Sequence, residues 1–385
     1  MTHNQSRDIA VIGGGIGGLT AALAFARSGA NVTVYEQAPA LTEVGAGLQI
    51  TPNGARALNA LGIDRALAVS GVQAQAVVPM DAMTGREIAR FDLSAQTPPY
   101  VFYHRAALID ILARGCDAAG VTVRLGAKIT EVSADGSFSF DGKTHRPVLT
   151  VGADGLHSVV RGLINRPAPP FFTGQVAWRA MIKTDKSDPV ARIWMAPGRH
   201  MVTYPLPGGR LNIVAVQERS QWAKEGWHHS DDPGNLRMAF ADCGWEAKSI
   251  LAAVDEVRLW GLFRHPVAAK WHLGTLAILG DAAHPTLPFL AQGANLAIED
   301  AYTLARCCNE EATIEAGLRR YQDKRRARVV RAIEAANRNA RNYHLGGVQR
   351  VVAHAGLRTL GKVAPAAFLN RLGWLYDHDV TARTA

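Results

Sequence analysis

The sequence predicts an α/β protein. A discontinuous dinucleotide-binding domain carries an inserted, mostly antiparallel β-sheet domain and ends in helices. Three observations predict it. A turn, Gly13-Gly14-Gly15-Ile16-Gly17-Gly18, joins an apolar run to a helical stretch and is followed by an acid, Glu36. Two more glycine/acid signatures come later, Gly152-Ala153-Asp154-Gly155 and Gly280-Asp281-Ala282-Ala283-His284-Pro285. Between those two lies a long tract of alternating, β-type segments.

Asp8-Ile9-Ala10-Val11-Ile12 is the apolar run that a buried parallel strand requires. Gly13, Gly15 and Gly18 fit G-x-G-x-x-G. The first makes the turn, the second lets backbone approach a pyrophosphate, and the third lets helix and strand pack closely. Residues 19–26 have helical composition, and their N-terminus offers free N–H groups to phosphates. A second strand, residues 31–35, ends at Glu36, about 20 residues on, where an acid accepts a ribose hydroxyl. This signature alone does not separate NAD from FAD.

The dinucleotide domain is expected to comprise 1–70, 101–170 and 271–345. A substrate-binding sheet domain takes 71–100 and 171–270, and 346–385 forms a C-terminal helical segment. Residues 101–130 read as a helix with Tyr103-His104-Arg105 at its start, then a strand. Segments 176–182, 191–195, 201–204, 211–216 and 257–263 alternate as a half-buried sheet does, and 276–279 is a buried strand returning to the first domain.

The 385 residues allow two or three domains, and 48% hydrophobic content is that of a globular protein. No apolar stretch reaches the ~18 residues of a spanning helix. The N-terminus lacks an apolar signal core, so a cytoplasmic location is expected. The four cysteines, Cys116, Cys243, Cys307 and Cys308, form no C-x-x-C pair and read as reduced thiols; no His/Cys cluster has metal spacing. The net charge is +9, with much of the excess in Arg319, Arg320, Lys324, Arg325, Arg326, Arg328 and Arg331. Interleaved with apolar residues and without an aromatic platform, this run reads as a solvated helix face and not as a nucleic-acid patch.

Taken together, the three signatures, with Gly45-Ala46-Gly47-Leu48-Gln49-Ile50, His104-Arg105, Gln292-Gly293-Ala294-Asn295 and Trp374-Leu375-Tyr376-Asp377, resemble the single-component, FAD-dependent aromatic-ring monooxygenases. This is the family of salicylate hydroxylase, 6-hydroxynicotinate 3-monooxygenase and 3-hydroxybenzoate 6-hydroxylase. The resemblance covers essentially the whole chain. It implies tightly bound FAD, held by Gly13, Gly15, Gly18, Glu36, Gly47, Arg105, Asp154, Asp281, Gly293, Ala294 and Asn295. It also implies a visiting NADH or NADPH, O₂, and hydroxylation of a phenolic or N-heteroaromatic molecule through a flavin C4a-hydroperoxide. Asp154 and Arg161 belong to a motif associated with both flavin and pyridine nucleotide. Neither a nucleic-acid partner nor a membrane span is expected, and monomer and homodimer stay open.

Such chemistry requires the ring hydroxyl to be activated. His200-Met201-Val202-Thr203-Tyr204 resembles the substrate-activating pair of the 3-hydroxybenzoate and 6-hydroxynicotinate enzymes. Four residues apart on a strand, His200 and Tyr204 share a face. Arg179 is expected to meet a substrate carboxylate, the nicotinamide nucleotide or an ordinary ion-pair partner, and Gln217 is a weaker pocket candidate. Where the 6-hydroxynicotinate type has a histidine, eight residues past the Gly-Asp aspartate, this chain has Phe289, preceded by Pro288. The wall there is expected to be apolar and to favour a flat, more hydrophobic substrate. The alternatives are a flavin oxidase or dehydrogenase without oxygen insertion, and a non-catalytic flavoprotein.

Overall fold

The three signature strands lie side by side. In the computed structural model, which describes residues 7–41, 46–185, 187–219 and 229–382, a six-stranded sheet has the order His272–Leu273, Leu276–Ile278, Leu149–Gly152, Asp8–Ile12, Asn31–Tyr35, Thr122–Arg124. All neighbours are parallel except the edge strand His272–Leu273. Every strand that ends in a signature therefore delivers it to the same carboxyl edge, where open α/β sheets bind ligands. Gly45 of the 45–50 landmark lies outside the described residues.

The helix Ile16–Arg27 packs against the helix Gly293–Glu310 and is buried along most of its length. Small residues allow the approach: a Cβ on Gly17 would sit 3.2 Å from that of Ala297. Gly18 is tighter still, since its Cβ would lie 1.9 Å from the Gly13 carbonyl oxygen.

The inserted tract forms an eight-stranded sheet in the order Ser230–Asp231, Val257–Arg264, Phe171–Lys183, Arg210–Glu218, Arg199–Leu206, Val190–Ala196, Ala76–Asp81, Phe91–Asp92. It is antiparallel except where Val190–Ala196 runs parallel to Ala76–Asp81. Trp178, Met201, Ile213 and Ala215 bury one face beneath the helices Pro233–Ala239 and Trp245–Ala252. The opposite face carries Tyr204, Val214 and Trp260 and joins the main core.

Two expectations change. Val101–His104 is a strand, the centre of a three-stranded sheet with Gly47–Ile50 and Gly71–Gln73, and the helix begins only at Arg105. Valine and two aromatics suit a pleated, half-buried surface better than a first helical turn. Gly71–Gln73 therefore pairs with 101–104 and not with the large sheet. Second, the basic run on the helix Ile314–Tyr343 is not wholly solvated. Arg319, Lys324 and Arg331 are exposed, but Arg325 is 1% exposed, with its Nε 2.7 Å from Asp300 Oδ1 and its Nη1 2.5 Å from Glu299 Oε2. Arg328 grips the same Glu299 at 2.8 Å and also donates to the Trp374 and Leu375 carbonyls. A charge run has the same spacing whether its partners are water or buried acids, so the pattern alone did not separate them.

Removing one partner from a buried ion cluster leaves an uncompensated charge, at a cost of about 3–5 kcal/mol. Arg325→Met is expected to lose stability on that scale in urea denaturation, whereas Arg319→Met changes little. Burial raises the Glu299 carboxyl, but Arg325 and Arg328 outweigh it and hold it at about 2 instead of 4.5. Because the folded value lies below the unfolded one, this stabilisation is complete above pH 4.5 and is lost as pH falls toward 2. It amounts to about 3 kcal/mol. Denaturation series across that window are expected to show the loss, with a flatter profile for Glu299→Gln.

Candidate active site

A cleft of about 750 Å³ runs between the carboxyl edge of the parallel sheet and one face of the large sheet. Gly13 opens its floor with φ +103°, a conformation that favours glycine. Gly15 has open space where a Cβ would project, so the cleft reaches the backbone itself. Gly18 lines no part of the cleft; it acts from behind, by letting the helix pack on the turn. Glu36 faces the cleft while its carboxylate accepts from Gly14 N at 2.5 Å and Ala38 N at 2.8 Å. Each of its oxygens keeps a further lone pair for a hydroxyl donor.

Asp154 Oδ2 accepts from Val159 N at 2.8 Å, whereas Oδ1 is buried without a partner. Burial raises this carboxyl, and hydrogen bonds from Ser158 and nearby backbone only partly offset it. Asp281 presents its carboxylate to the void of the cleft, while the surrounding protein desolvates and raises it; His284 and Arg105 pull it back down. Arg105 starts its helix at the cleft, its backbone N bonded to Ala46 O at 3.0 Å. Burial lowers its guanidinium and Asp281 opposes that.

The helix Gly293–Glu310 points its N-terminus into the cleft through Gly293 and Ala294. Asn295 does not line the cleft. It is fully buried, accepts from Thr51 N at 3.0 Å, and donates to Gln49 O at 2.9 Å and Ala291 O at 2.7 Å. It orders the segments that frame the site. Ala291 sits at φ +55° beside this turn.

On the opposite wall, strand alternation decides which candidates arrive. Arg179, Val202, Tyr204 and Val214 face the cleft. Tyr204 packs on Phe102 with ring centroids 5.0 Å apart, and a Cβ on Gly47 would lie 2.6 Å from its ring. Gly47 N donates to Asn212 Oδ1 at 2.7 Å. Burial pushes the Tyr204 phenol well above its ordinary value, although Arg179 acts against that. The Arg179 guanidinium lies 4.7 Å over the Trp260 ring, and burial brings it down to about 9.

Three candidates fall elsewhere. Gln217 is on the other side of the sheet from Val214 and Val216, as the period of two requires, and accepts from Arg219 at 3.1 Å. Pro288 lines the cleft, but the Phe289 ring is 3% exposed and packs on His200 at 5.3 Å. His200 shares the face of Tyr204, yet it is 1% exposed and off the cleft surface, with Nδ1 2.7 Å from Nε2 of His344. Gln49, from the 45–50 landmark, lines the cleft and accepts from Tyr100 at 2.5 Å. His344 had no motif to mark it; only the fold places it beside His200.

The residues fit FAD. The cleft has the volume of a cofactor site, its glycine floor is open where a pyrophosphate needs room, and a buried carboxylate oxygen of Asp154 awaits a donor. Among the described residues no group of acids, histidines and cysteines is arranged for a metal ion, and no helix is long and apolar enough to cross a membrane.

Residues 6–336 match the family described as FAD binding domain, and the chain belongs to that family. Among its relatives, 3-amino-4-hydroxybenzoate 2-monooxygenase of Streptomyces cremeus is 35% identical over 351 residues, 88% of each chain. 3-Hydroxybenzoate 6-hydroxylase 1 of Aquipseudomonas alcaligenes is 31% identical over 398 residues, 99% of each. A solved salicylate hydroxylase substrate complex superposes with a TM-score of 0.82 at 25% identity, covering 98% of this chain and 97% of that one. The protein is an FAD-dependent aromatic-ring monooxygenase that uses NADH or NADPH and O₂.

Because a side chain at Gly15 would enter open space, Gly15→Val is expected to fold normally and lose FAD. Flavin absorbance after gel filtration, beside an unchanged far-ultraviolet spectrum, checks this; retained flavin would contradict the assignment.

Proposed function

We propose that the protein hydroxylates a small aromatic or N-heteroaromatic carboxylic acid bearing a ring hydroxyl. One observation carries this reading: a single cleft has the three signature turns on one wall and Tyr204, Arg179 and an apolar floor on the other. The hydroxybenzoate names of the relatives support the substrate class.

When bound, FAD supplies hydride acceptance from NAD(P)H and activation of O₂ for delivery of one oxygen atom to a ring. The chain's own residues do the rest. Glu36 takes a ribose hydroxyl, and Gly13 and Gly15 leave room for the pyrophosphate. Asp281, Arg105 and the free oxygen of Asp154 hold the polar stem of the cofactor. The amides of Gly293 and Ala294, at a positive helix end, favour negative charge on the cofactor's ring system.

The substrate ring lies on Val202 and Val214, against Leu287 and Pro288, where apolar side chains exclude water. Arg179 takes the carboxylate through a charge-assisted hydrogen bond. Tyr204 stays protonated because burial raises its phenol, so it donates to the substrate oxygen and does not serve as the base. Phe289 offers no proton, which leaves orientation to Arg179 and Tyr204. Four buried, unpaired cysteines suit a reducing compartment such as the cytoplasm. In this reading the six-stranded sheet with its helices is the flavin domain and the eight-stranded sheet the substrate domain.

The test is NAD(P)H oxidation by FAD-loaded protein with hydroxybenzoic and hydroxypyridine carboxylic acids, and product mass. Stimulated oxidation with gain of one oxygen supports the reading; uniform indifference across the panel defeats it. Tyr204→Phe is expected to lower kcat/KM by roughly 10²-fold, with substrate-free flavin reduction unchanged. Arg179→Met is expected to raise KM for carboxylated rings by roughly ten- to a hundredfold and to spare neutral phenols, as steady-state kinetics on matched pairs would show.

A further inference from the structure

The Tyr204 phenol stands between two side-chain amides whose orientation is settled elsewhere in the fold. Gly47 and Gln49 are two residues apart on one strand and share a face. That face meets Tyr204: a Cβ on Gly47 would lie 2.9 Å from the Tyr204 hydroxyl oxygen and 2.8 Å from Cγ of Asn212. Asn212 is the direct strand partner of Tyr204. Phe102, the direct strand partner of Gln49, packs on the Tyr204 ring, and Gln49 and Tyr204 both line the cleft.

Each amide is held by a fixed donor. The Gly47 N–H donates to Asn212 Oδ1 at 2.7 Å, which leaves Nδ2 as the free end. That Nδ2 is buried and has no other partner among the described residues. The Tyr100 hydroxyl donates to Gln49 Oε1 at 2.5 Å, which leaves Nε2 as the free end. Burial raises the Tyr100 phenol well above its ordinary value and keeps it a donor. The Gln49 backbone is tied as well, since its carbonyl accepts from Asn295 Nδ2 at 2.9 Å. What the two amides have left for Tyr204 is N–H. Burial raises that phenol; Arg179, Gln49 and Asn212 act the other way, the two amides as hydrogen-bond donors.

A phenol oxygen has two acceptor sites and one proton. With N–H groups turned to the acceptor sites, the proton has one direction left, the cleft. Resting on the aromatic-acid reading above, we propose that Gln49 and Asn212 are positioning residues that make Tyr204 a one-way donor, so that the ring substituent it meets is an acceptor, a phenolate or ring-carbonyl oxygen. A neutral ring hydroxyl also accepts, but its own proton then needs a separate partner. A phenolate or carbonyl oxygen is complete with what Tyr204 gives. The site thus discriminates by proton count and not by shape. No proton is transferred in this arrangement: Tyr204 keeps its hydrogen, and the substrate oxygen keeps its electron pair. Tyr100 is the lock. Were the Gln49 amide turned over, its Oε1 would take the Tyr204 proton as a hydrogen bond, and Tyr204 would show the cleft a lone pair instead.

The experiment equilibrates oxidised, FAD-loaded protein with 3-hydroxy-4-nitrobenzoate or 4-hydroxy-3-nitrobenzoate, at the pH where half of the free probe is ionised. Difference absorbance reads the ionised share of the bound probe. For at least one isomer, the ratio of phenolate to phenol is expected to rise roughly tenfold or more on binding to the native protein. Gln49→Met is expected to cancel most of that rise, and Tyr100→Phe, which frees the Gln49 amide to turn over, to cancel part of it. In a Tyr204→Phe background neither substitution is expected to move the ratio further, because both act through that hydroxyl. Equal losses with and without the Tyr204 hydroxyl, or native ratios in both single variants, overturn the positioning role. A native protein that binds a probe and leaves its ionisation unchanged overturns the acceptor selection while leaving the hydroxylase reading intact. One that binds neither isomer, nor any hydroxybenzoic or hydroxypyridine carboxylic acid, overturns both.

Discussion

Two adjacent carboxylates on one helix, Glu299 and Asp300, hold together the elements packed against the six-stranded sheet. Both are fully buried. Asp300 takes Arg325 through one oxygen; through the other it takes His284 and, at 3.2 Å, Gly280 N. It therefore pins both ends of the turn that aims Asp281 into the cleft. Glu299 takes Arg325, Arg328 and Asn53 Nδ2, the last at 2.5 Å. Charges this deep persist only when each is paired, so the helix Gly293–Glu310, the helix Ile314–Tyr343, the 280–284 turn and the C-terminal carbonyls of Trp374 and Leu375 must assemble in one arrangement. The N-terminus of the first of these helices is the end that faces the cleft.

The cleft's chemistry depends on the same rigidity. It holds groups that water would otherwise level: a raised Tyr204 and an Arg179 brought down to about 9. Such shifts survive only while the walls keep solvent out. The wall built by the signature turns offers acids and helix amides, and the sheet wall offers valines, a phenol and a guanidinium.

Alternation along the strands explains which candidates met. Arg179, Val202, Tyr204 and Val214 reach the cleft because a period of two puts them on one face, and Gln217 misses it by an odd step from Val214. The same period correctly pairs His200 with Tyr204, but it says nothing of depth. His200 ends beneath Phe289, against a histidine that arrives from 144 residues further along the chain. Likewise Asn295 sits at a helix start, as the glycine-rich segment before it indicates, yet it turns inward to bond Thr51 and Gln49 O.

By itself the sequence determined the parallel sheet, the glycine turn, the carboxyl-edge positions of Glu36, Asp154 and Asp281, and the inserted sheet. These follow from local rules: apolar runs for buried strands, glycine where backbone must approach closely, and a period of two. Tertiary structure alone decided that Arg325 and Arg328 are buried partners and not a solvated stripe, that Val101–His104 is a strand, and that His200 meets His344. The physical reason is common to all three. Burial and pairing depend on groups distant in sequence, whose meeting no local spacing encodes.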